Sequence, residues 1–377
     1  MASGKIEGGD FLRMAMPSIT AVDLFCGVGG LTHGLRKAGI GVVAGYDIDP
    51  ACEWPYEQNN GKAKFHQADV GRVTGAQLTA HFGEDKEAIT LLAGCAPCQP
   101  FSAYSLHKAD ESDARWPMLE HFGRLVAEVK PTLVTMENVP QVRKHAVFHD
   151  FVQTLRDNDY SVSVDVVRCE EYGIPQARSR LVLLASRLGE IKLRERDPKR
   201  DKRRTVRSAI KGLEQLRAGE ASSSDPIHRA SGLTELNERR MKAARPGGSW
   251  RDWDPELLAS CHKTESGQSF PGVYGRMEWD SAAPTITTQF YGFGSGRFGH
   301  PEQNRALSLR EGAILQTFPP KYRFVKKGAK VHMTTVGRLI GNAVPVRLGR
   351  VIGESLKMHV ESSLSTSKRA KDPSKRA

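Results

Sequence analysis

The sequence predicts an α/β protein, a mostly parallel sheet with flanking helices, joined to a smaller irregular domain. Three observations carry this. Between residues 19 and 186 short apolar runs alternate with amphipathic segments, the pattern of successive strand–helix units. The first run leads straight into a glycine-rich turn, DLFCGVGG (23–30), which opens a helix. After Ser186 the rhythm is lost, and residues 187–300 are rich in Gly, Ser, Arg and Pro, with isolated aromatics such as Trp250, Trp253, Phe270, Tyr274 and Trp279.

Taken in order, the expected strands are 19–25, 42–47, 89–93, 132–136, 161–168 and 180–185, each a short, largely apolar run. The expected helices include 30–38, 76–82, 118–129 and 148–158, where apolar residues recur at helical spacing. Helical periodicity returns at 309–317 and over 335–360, and no internal repeat is present. With 377 residues, 39% of them hydrophobic, the chain can bury a sizeable core in two or three domains. No apolar run approaches the ~18 residues of a membrane span, and the opening MASGKIEGGDFLRMAMPS lacks the unbroken apolar stretch of a signal peptide. A cytoplasmic protein, or one reaching a nucleoid or nucleus, is therefore expected, with no membrane partner and with its six cysteines reduced.

The formal net charge is +12, and it is concentrated. Residues 186–207 carry ten Lys/Arg against four Asp/Glu, and 368–377 carry five against one. Clustered cations gain affinity for a polyanion by releasing counterions from its phosphates. The internal stretch is the better placed to meet nucleic acid; the terminal one reads as a solvated, disordered tail.

The turn at 23–30 proposes a nucleotide-type ligand at the carboxyl edge of the sheet. A dinucleotide fingerprint G-x-G-x-x-G beginning with Gly27 and Gly29 would need glycine at position 32, where the chain has Thr32. That third glycine matters less when no pyrophosphate approaches the helix. Asp47 ends the second expected strand, where a carboxylate accepts hydrogen bonds from ribose hydroxyls. A ribose-bearing ligand without a diphosphate points to S-adenosylmethionine over NAD; an ordinary tight turn is the alternative.

GCAPCQPFS (94–102) sets Cys95 and Cys98 three apart, right after the run 89–93. Zinc needs about four ligands, and no second CxxC or suitable His pair supplies the others, so no metal is expected. A thioredoxin-like dithiol and a single thiolate nucleophile both remain open, although a dithiol leaves the glycine turn unexplained. The nucleophile reading suits methylation of cytosine C5, a carbon that does not take a methyl group unaided. Thiolate addition at C6, with an acid protonating or hydrogen-bonding N3, moves electron density onto C5. Such chemistry needs a cysteine, a carboxylic acid at the base edge and a cationic donor for O2. Glu137, in Glu137-Asn138-Val139 after the run 132–136, would project from the same sheet edge as Cys98, where apolar surroundings would help it hold a proton. In Gln176-Ala-Arg178-Ser-Arg180 the two arginines stand i and i+2 in an extended segment, so they point to one face, and guanidinium suits a carbonyl oxygen or a phosphate.

Together DLFCGVGG, YDID, GCAPCQPFS, ENV, QARSR, RALSLREGAILQTFP and GNAVPV resemble, in order and approximate spacing, the motifs of the DNA (cytosine-5) methyltransferases. The likeness spans nearly everything except 187–298. It implies a Rossmann-like methyltransferase domain, S-adenosyl-L-methionine as cofactor, double-stranded DNA as substrate and a target base flipped out of the duplex. By position, the resemblance makes Cys98 the nucleophile, Glu137 the residue that activates N3, Arg180 the arginine that holds O2 and Arg178 its catalytic-site neighbour. Phe25, Gly27 and Gly29 match the cofactor loop and Asp47 the ribose-binding acid. Ile48 matches the apolar residue on the adenine face, where the family often has Trp, and Asp69 and Val70 match the pair at the adenine edge. Asn342 and Ala343 match the C-terminal motif that returns to close the cofactor pocket. Cys95 stands where many members have glycine, so the resemblance implies a thiol that is not needed.

The implied organisation is an N-terminal extension (1–18), a discontinuous catalytic domain (19–186 and 304–360), a target recognition domain (187–303) and a basic, disordered tail (361–377). Residues 103–114 are expected to form a mobile loop that closes over the target base and carries Ser102 toward it. Arg245, Arg251, Gln268, Arg276 and Gln289 are candidates to read base edges, and 283–289 with 292–299 is a candidate recognition strand and loop. The resemblance thus implies a bacterial or phage-type monomer that methylates a specific cytosine, with a restriction endonuclease for the same site as a candidate partner. An RNA-directed cytosine methyltransferase would keep nearly every motif and is the alternative. A catalytically silent DNA-binding module or an NAD oxidoreductase fits less of the chain.

Overall fold

The structure, a computed structural model, describes residues 18–83, 88–97 and 117–371. Its strands are β1 (Ile19–Leu24), β2 (Gly41–Asp47), β3 (Lys64–Gln67), β4 (Ile89–Gly94), β5 (Leu133–Asn138), β6 (Ser161–Arg168), β7 (Gln176–Ala177), β8 (Ser179–Ser186) and β9 (Ala283–Pro284). Seven form one sheet in the order β3-β2-β1-β4-β5-β8-β6, parallel from β3 to β5, with β8 antiparallel to both neighbours. All six expected strands are present within two residues of their bounds. β3 has no counterpart among them because Lys64-Phe-His-Gln67 contains no apolar run, which a strand at the sheet edge does not need.

The helices of the described residues are α1 (Gly30–Lys37), α2 (Glu53–Asn59), α3 (Gly75–Thr79), α4 (Pro117–Val129), α5 (Ala146–Asp157), α6 (Val206–Ile210), α7 (Glu235–Ala243), α8 (Glu265–Gln268), α9 (Leu309–Leu315), α10 (Met333–Asn342) and α11 (Val346–Lys371). Alternation along β1 sorts them into layers. Val22 and Leu24 join a core with Leu78 of α3, Phe122 of α4 and Phe151 of α5, while Ile19 and Ala21 join the core of the opposite face with Leu35 of α1 and Ile352 of α11.

Three elements depart from expectation. α3 is shorter than 76–82 and begins at a reciprocal cap, with Gln77 Oε1 accepting the Thr74 N–H at 2.9 Å. The periodic stretch 335–360 is two helices, broken at Ala343-Val344-Pro345, because proline steers the residue before it to an extended backbone and lacks the N–H that would continue the ladder. α11 then runs past 360 to Lys371, so much of the expected disordered tail is helical; Leu364 packs on the core beneath.

Residues 187–303 hold α6 to α8 and β9, which pairs in parallel with β7. Ile286, Phe290 and Phe298 share a core with Leu315, Phe318, Leu339 and Ile340, and Trp250, Trp253 and Phe293 form a separate cluster with Met241 and Leu257. The basic stretch after Ser186 is partly spent on ion pairs within the chain: Arg194 pairs with Asp201 and Glu354 near the interior, and at the surface Arg200 pairs with Glu354 and Arg207 with Asp280. No helix among the described residues is long and apolar enough to cross a membrane.

Candidate active site

The register of β1 with β4 sets Leu24 level with Gly94, and the Cys95 N–H donates to the Leu24 carbonyl at 3.3 Å. The glycine turn after β1 and the cysteine turn after β4 therefore lie side by side, at the point where strand order in the sheet reverses. Phe25 leaves the strand with a left-handed backbone (φ 55°), followed by Gly27 (52°) and Gly29 (86°). A Cβ at Gly29 would stand 2.3 Å from Asn60 Nδ2, so both the backbone angle and the space require glycine.

A cavity of about 370 Å³ opens at this edge, lined by Phe25, Gly27, Asp47, Ile48, Asp69, Val70, Asn342 and Ala343. Gly29 is absent from its wall; its part is to shape the turn. Asp47 accepts the Gly27 N–H and the Asp49 N–H, each at 2.9 Å, yet burial raises its carboxyl above the usual range. Asp69 accepts the Gly71 N–H at 2.9 Å, and Ile48 stands 66% exposed. The Asn342–Ala343 turn is pinned from behind by buried Gln316, whose amide donates to the carbonyls of Ile340 (2.9 Å) and Ala343 (3.2 Å).

Cys98, Ser102 and the segment 103–114 lie outside the described residues, which bring the neighbouring Cys95, Ala96 and Pro97 to the cavity wall. Glu137 lies within β5 and is 3% exposed. Its Oε2 accepts the Cys95 thiol at 3.0 Å, and Arg180 Nε stands 3.0 Å from Oε1. That approach is an ion pair off the line of a hydrogen bond, so Oε1 has no hydrogen-bond donor among the described residues. Arg178 reaches a different partner: it is buried and donates to the Ile286 carbonyl at 3.0 Å.

Sequence spacing gives little hint of three further contacts. Asp23 is wholly buried on the cavity wall, with Oδ2 accepting the Thr32 hydroxyl at 2.6 Å and Oδ1 without a hydrogen-bond partner among the described residues; burial pushes its carboxyl up to about 7. Arg338 of α10 pairs with Asp49 at 2.5 Å across the cavity. Asn138 donates to the Ala96 carbonyl at 3.2 Å, fastening the cysteine turn to β5. The first and last of these sit inside DLFCGVGG and ENV, but their partners lie elsewhere in the chain.

Among the candidate base readers, Arg276 is excluded by burial: it donates to the Met241 carbonyl and to Asn304 Oδ1, both at 2.8 Å. Arg251 is exposed but donates to the Gln268 carbonyl at 2.6 Å and covers the Trp250 ring. Arg245, Gln268 and Gln289 are exposed.

The family model for C-5 cytosine-specific DNA methylases matches residues 19–358. The chain belongs to this family. This methylase is 50% identical over 343 residues to the Type II methylase M.HgiDII of Herpetosiphon aurantiacus, a match spanning 90% of this chain and 95% of the relative. It is 31% identical over 360 residues to the Type II methyltransferase M.XorII of Xanthomonas oryzae pv. oryzae, spanning 88% and 83%. A prophage-encoded Escherichia coli protein, described as a DNA modification methyltransferase, superimposes with a TM-score of 0.71 at 21% identity, over 91% of this chain and 100% of that one; it shares the fold. This methylase is a DNA (cytosine-5) methyltransferase, and methylases of its family generally use S-adenosylmethionine.

Proposed function

We propose that this methylase transfers a methyl group from S-adenosyl-L-methionine to C5 of a specific cytosine in double-stranded DNA through a Cys98 thiolate, with Glu137 activating N3 and Arg180 holding O2. The observation that carries the reading is the pair of buried Glu137 and half-buried Arg180, at the ends of β5 and β8 and linked through Cys95 to the wall of the cavity. Oε1 of Glu137, with no hydrogen-bond donor among the described residues, is free to meet the base edge. Arg178, anchored on Ile286, would support this edge from the side of the recognition residues.

The donor set fits a cationic cofactor. Four aspartates (Asp23, Asp47, Asp49 and Asp69) and one arginine (Arg338) line the cavity among the described residues, and of the four Asp23 is the one that burial keeps largely protonated below about pH 7, leaving the negative charge to the other three. Such a wall repels a pyrophosphate and attracts a positive charge. Asp47 would take the ribose, Phe25 and Ile48 the adenine faces, Asp69 and Val70 its edge, with Gly27, Asn342 and Ala343 closing around it. When bound, the cofactor supplies an electrophilic methyl group on a cationic sulfur.

Residues 187–303 would serve as the target recognition domain of a monomer working at the nucleoid in the cytoplasm. The relative named a Type II methylase supports a place in a restriction-modification pair, with an endonuclease of the same specificity as partner. Expression in a methylation-free host followed by bisulfite sequencing should reveal protected cytosines in one sequence context, and Cys98→Ser should abolish them. Trapping on a 5-fluorocytosine duplex with methyl donor should place the adduct on Cys98; an adduct on any other residue overturns the assignment.

A further inference from the structure

We infer that Cys95 is a positioning residue for methyl transfer: its thiol holds the Glu137 carboxylate in the plane from which it meets the target base. The inference rests on the role proposed above for Glu137. Parallel register sets Gly94 of β4 level with Met136 of β5, so the next residues along, Cys95 and Glu137, are neighbours across the strand ends. The Cys95 Sγ–H donates to Glu137 Oε2 at 3.0 Å.

Both ends of the contact are fixed. The Cys95 N–H is bound to the Leu24 carbonyl at 3.3 Å, and the following carbonyl, of Ala96, accepts Asn138 Nδ2 at 3.2 Å. A glutamate carboxylate turns about a broad, weakly hindered terminal torsion, so one contact does not set its plane. Here Arg180 stands at Oε1 and the thiol at Oε2, and the two together do. Glycine at position 95 would leave the plane to Arg180 alone, which reopens the expectation that the thiol is not needed. Because a thiol is a weak donor, it can orient Oε2 while leaving the carboxyl able to hold the proton that it offers to N3.

Cys95 also lines the cofactor cavity, so the decisive measurement separates chemistry from cofactor binding. Full-length wild type, Cys95→Ala, Cys95→Gly, Cys95→Ser and Glu137→Gln would be compared in single-turnover methyl transfer at saturating S-adenosylmethionine and target duplex. Calorimetric affinity for S-adenosylhomocysteine and melting temperature would be taken alongside. The donorless Ala and Gly variants should transfer about fivefold more slowly, the order expected for losing one modest hydrogen bond, with unchanged affinity for S-adenosylhomocysteine. The Ser variant, which keeps a donor, should recover most of the rate. Wild-type rates in the donorless variants, a slow Ser variant, or a loss confined to cofactor affinity would each overturn the inference. Wild-type rate in Glu137→Gln would instead remove the role of Glu137 itself, whatever the cysteine variants do.

Discussion

Thr32 breaks the G-x-G-x-x-G pattern, and the structure gives that departure a purpose. Its hydroxyl donates to Asp23 at 2.6 Å and lies 3.1 Å from the Tyr56 hydroxyl, so the third glycine is replaced by the partner of a buried acid. Burial raises the Asp23 carboxyl to about 7, against the pull of the Thr32 hydrogen bonds and with added repulsion from Asp47. The sign of its effect on stability follows. Between the ordinary carboxylate range near 4 and about 7 the folded state keeps the proton and the unfolded chain has lost it, so stability falls as pH rises through that window, by at most about 1.4 kcal/mol per pH unit. Asp23→Asn keeps the neutral form at every pH. Its melting temperature, measured without ligand, should therefore gain on the wild type from pH 4 to 7 and hold that gain above; a difference constant across the range would refute the assignment. The motif exposes Asp23 to a reader of the sequence, but only the fold shows that one of its oxygens has no hydrogen-bond partner among the described residues.

At the scale of elements, α9 shows what sequence pattern can and cannot reveal. Ser308-x-x-Glu311 is a capping box: Ser308 Oγ accepts the Glu311 N–H at 3.1 Å and Glu311 Oε2 accepts the Ser308 N–H at 2.7 Å. The apolar spacing of 309–317 gives the helix from sequence alone. Hidden from that spacing is the rest of the knot, in which Arg305 grips both oxygens of Glu311 at 2.7 Å and His228 shares the Ser308 hydroxyl at 2.9 Å, all of them buried. Removing one half of a buried pair strands the other charge, at a cost of about 3–5 kcal/mol, whereas removing both can be nearly neutral. Glu311→Ala should thus lower unfolding free energy by several kcal/mol in urea, and adding Arg305→Met should restore part of it; additive losses would contradict the pairing. The same limit explains the break in 335–360. Val344 and Val346 keep the apolar rhythm running across Pro345, so periodicity continues where the backbone turns back to the cavity. That turn is further specified by Gly341, where a Cβ would lie 2.4 Å from the Thr287 carbonyl oxygen, a contact between segments that sequence distance conceals.

Across the whole molecule, the distribution of charge decides where DNA can be held. The cations of 186–207 look in sequence like a phosphate-binding stripe, but Glu354, far along the chain on α11, accepts from Arg194 (2.8 Å), Arg200 (2.7 Å) and Arg350 (2.9 Å). Asp201 takes Arg194 at 2.7 Å and Arg347 at 3.3 Å. Burial pushes the Asp201 carboxyl up, yet these bonds outweigh it and hold the group at about 2, so a phosphate would have to displace a strongly bound carboxylate. Position argues the same way. α1 and α11 run side by side away from the glycine turn after β1, with Gly30 against Val344 at one end and Gly353 against Ala38 at the other, so Glu354 lies roughly 12 Å along α1 from that turn. Each phosphate neutralised adds about 0.9 to the slope of log affinity against log salt. Arg194→Gln and Arg200→Gln should therefore leave the salt slope for duplex binding unchanged. Arg194, nearly buried, should lower the melting temperature by several degrees, and half-exposed Arg200 by much less. A slope reduced by about one in either variant would return that arginine to the DNA interface and make its carboxylate partner a competitor that duplex DNA displaces.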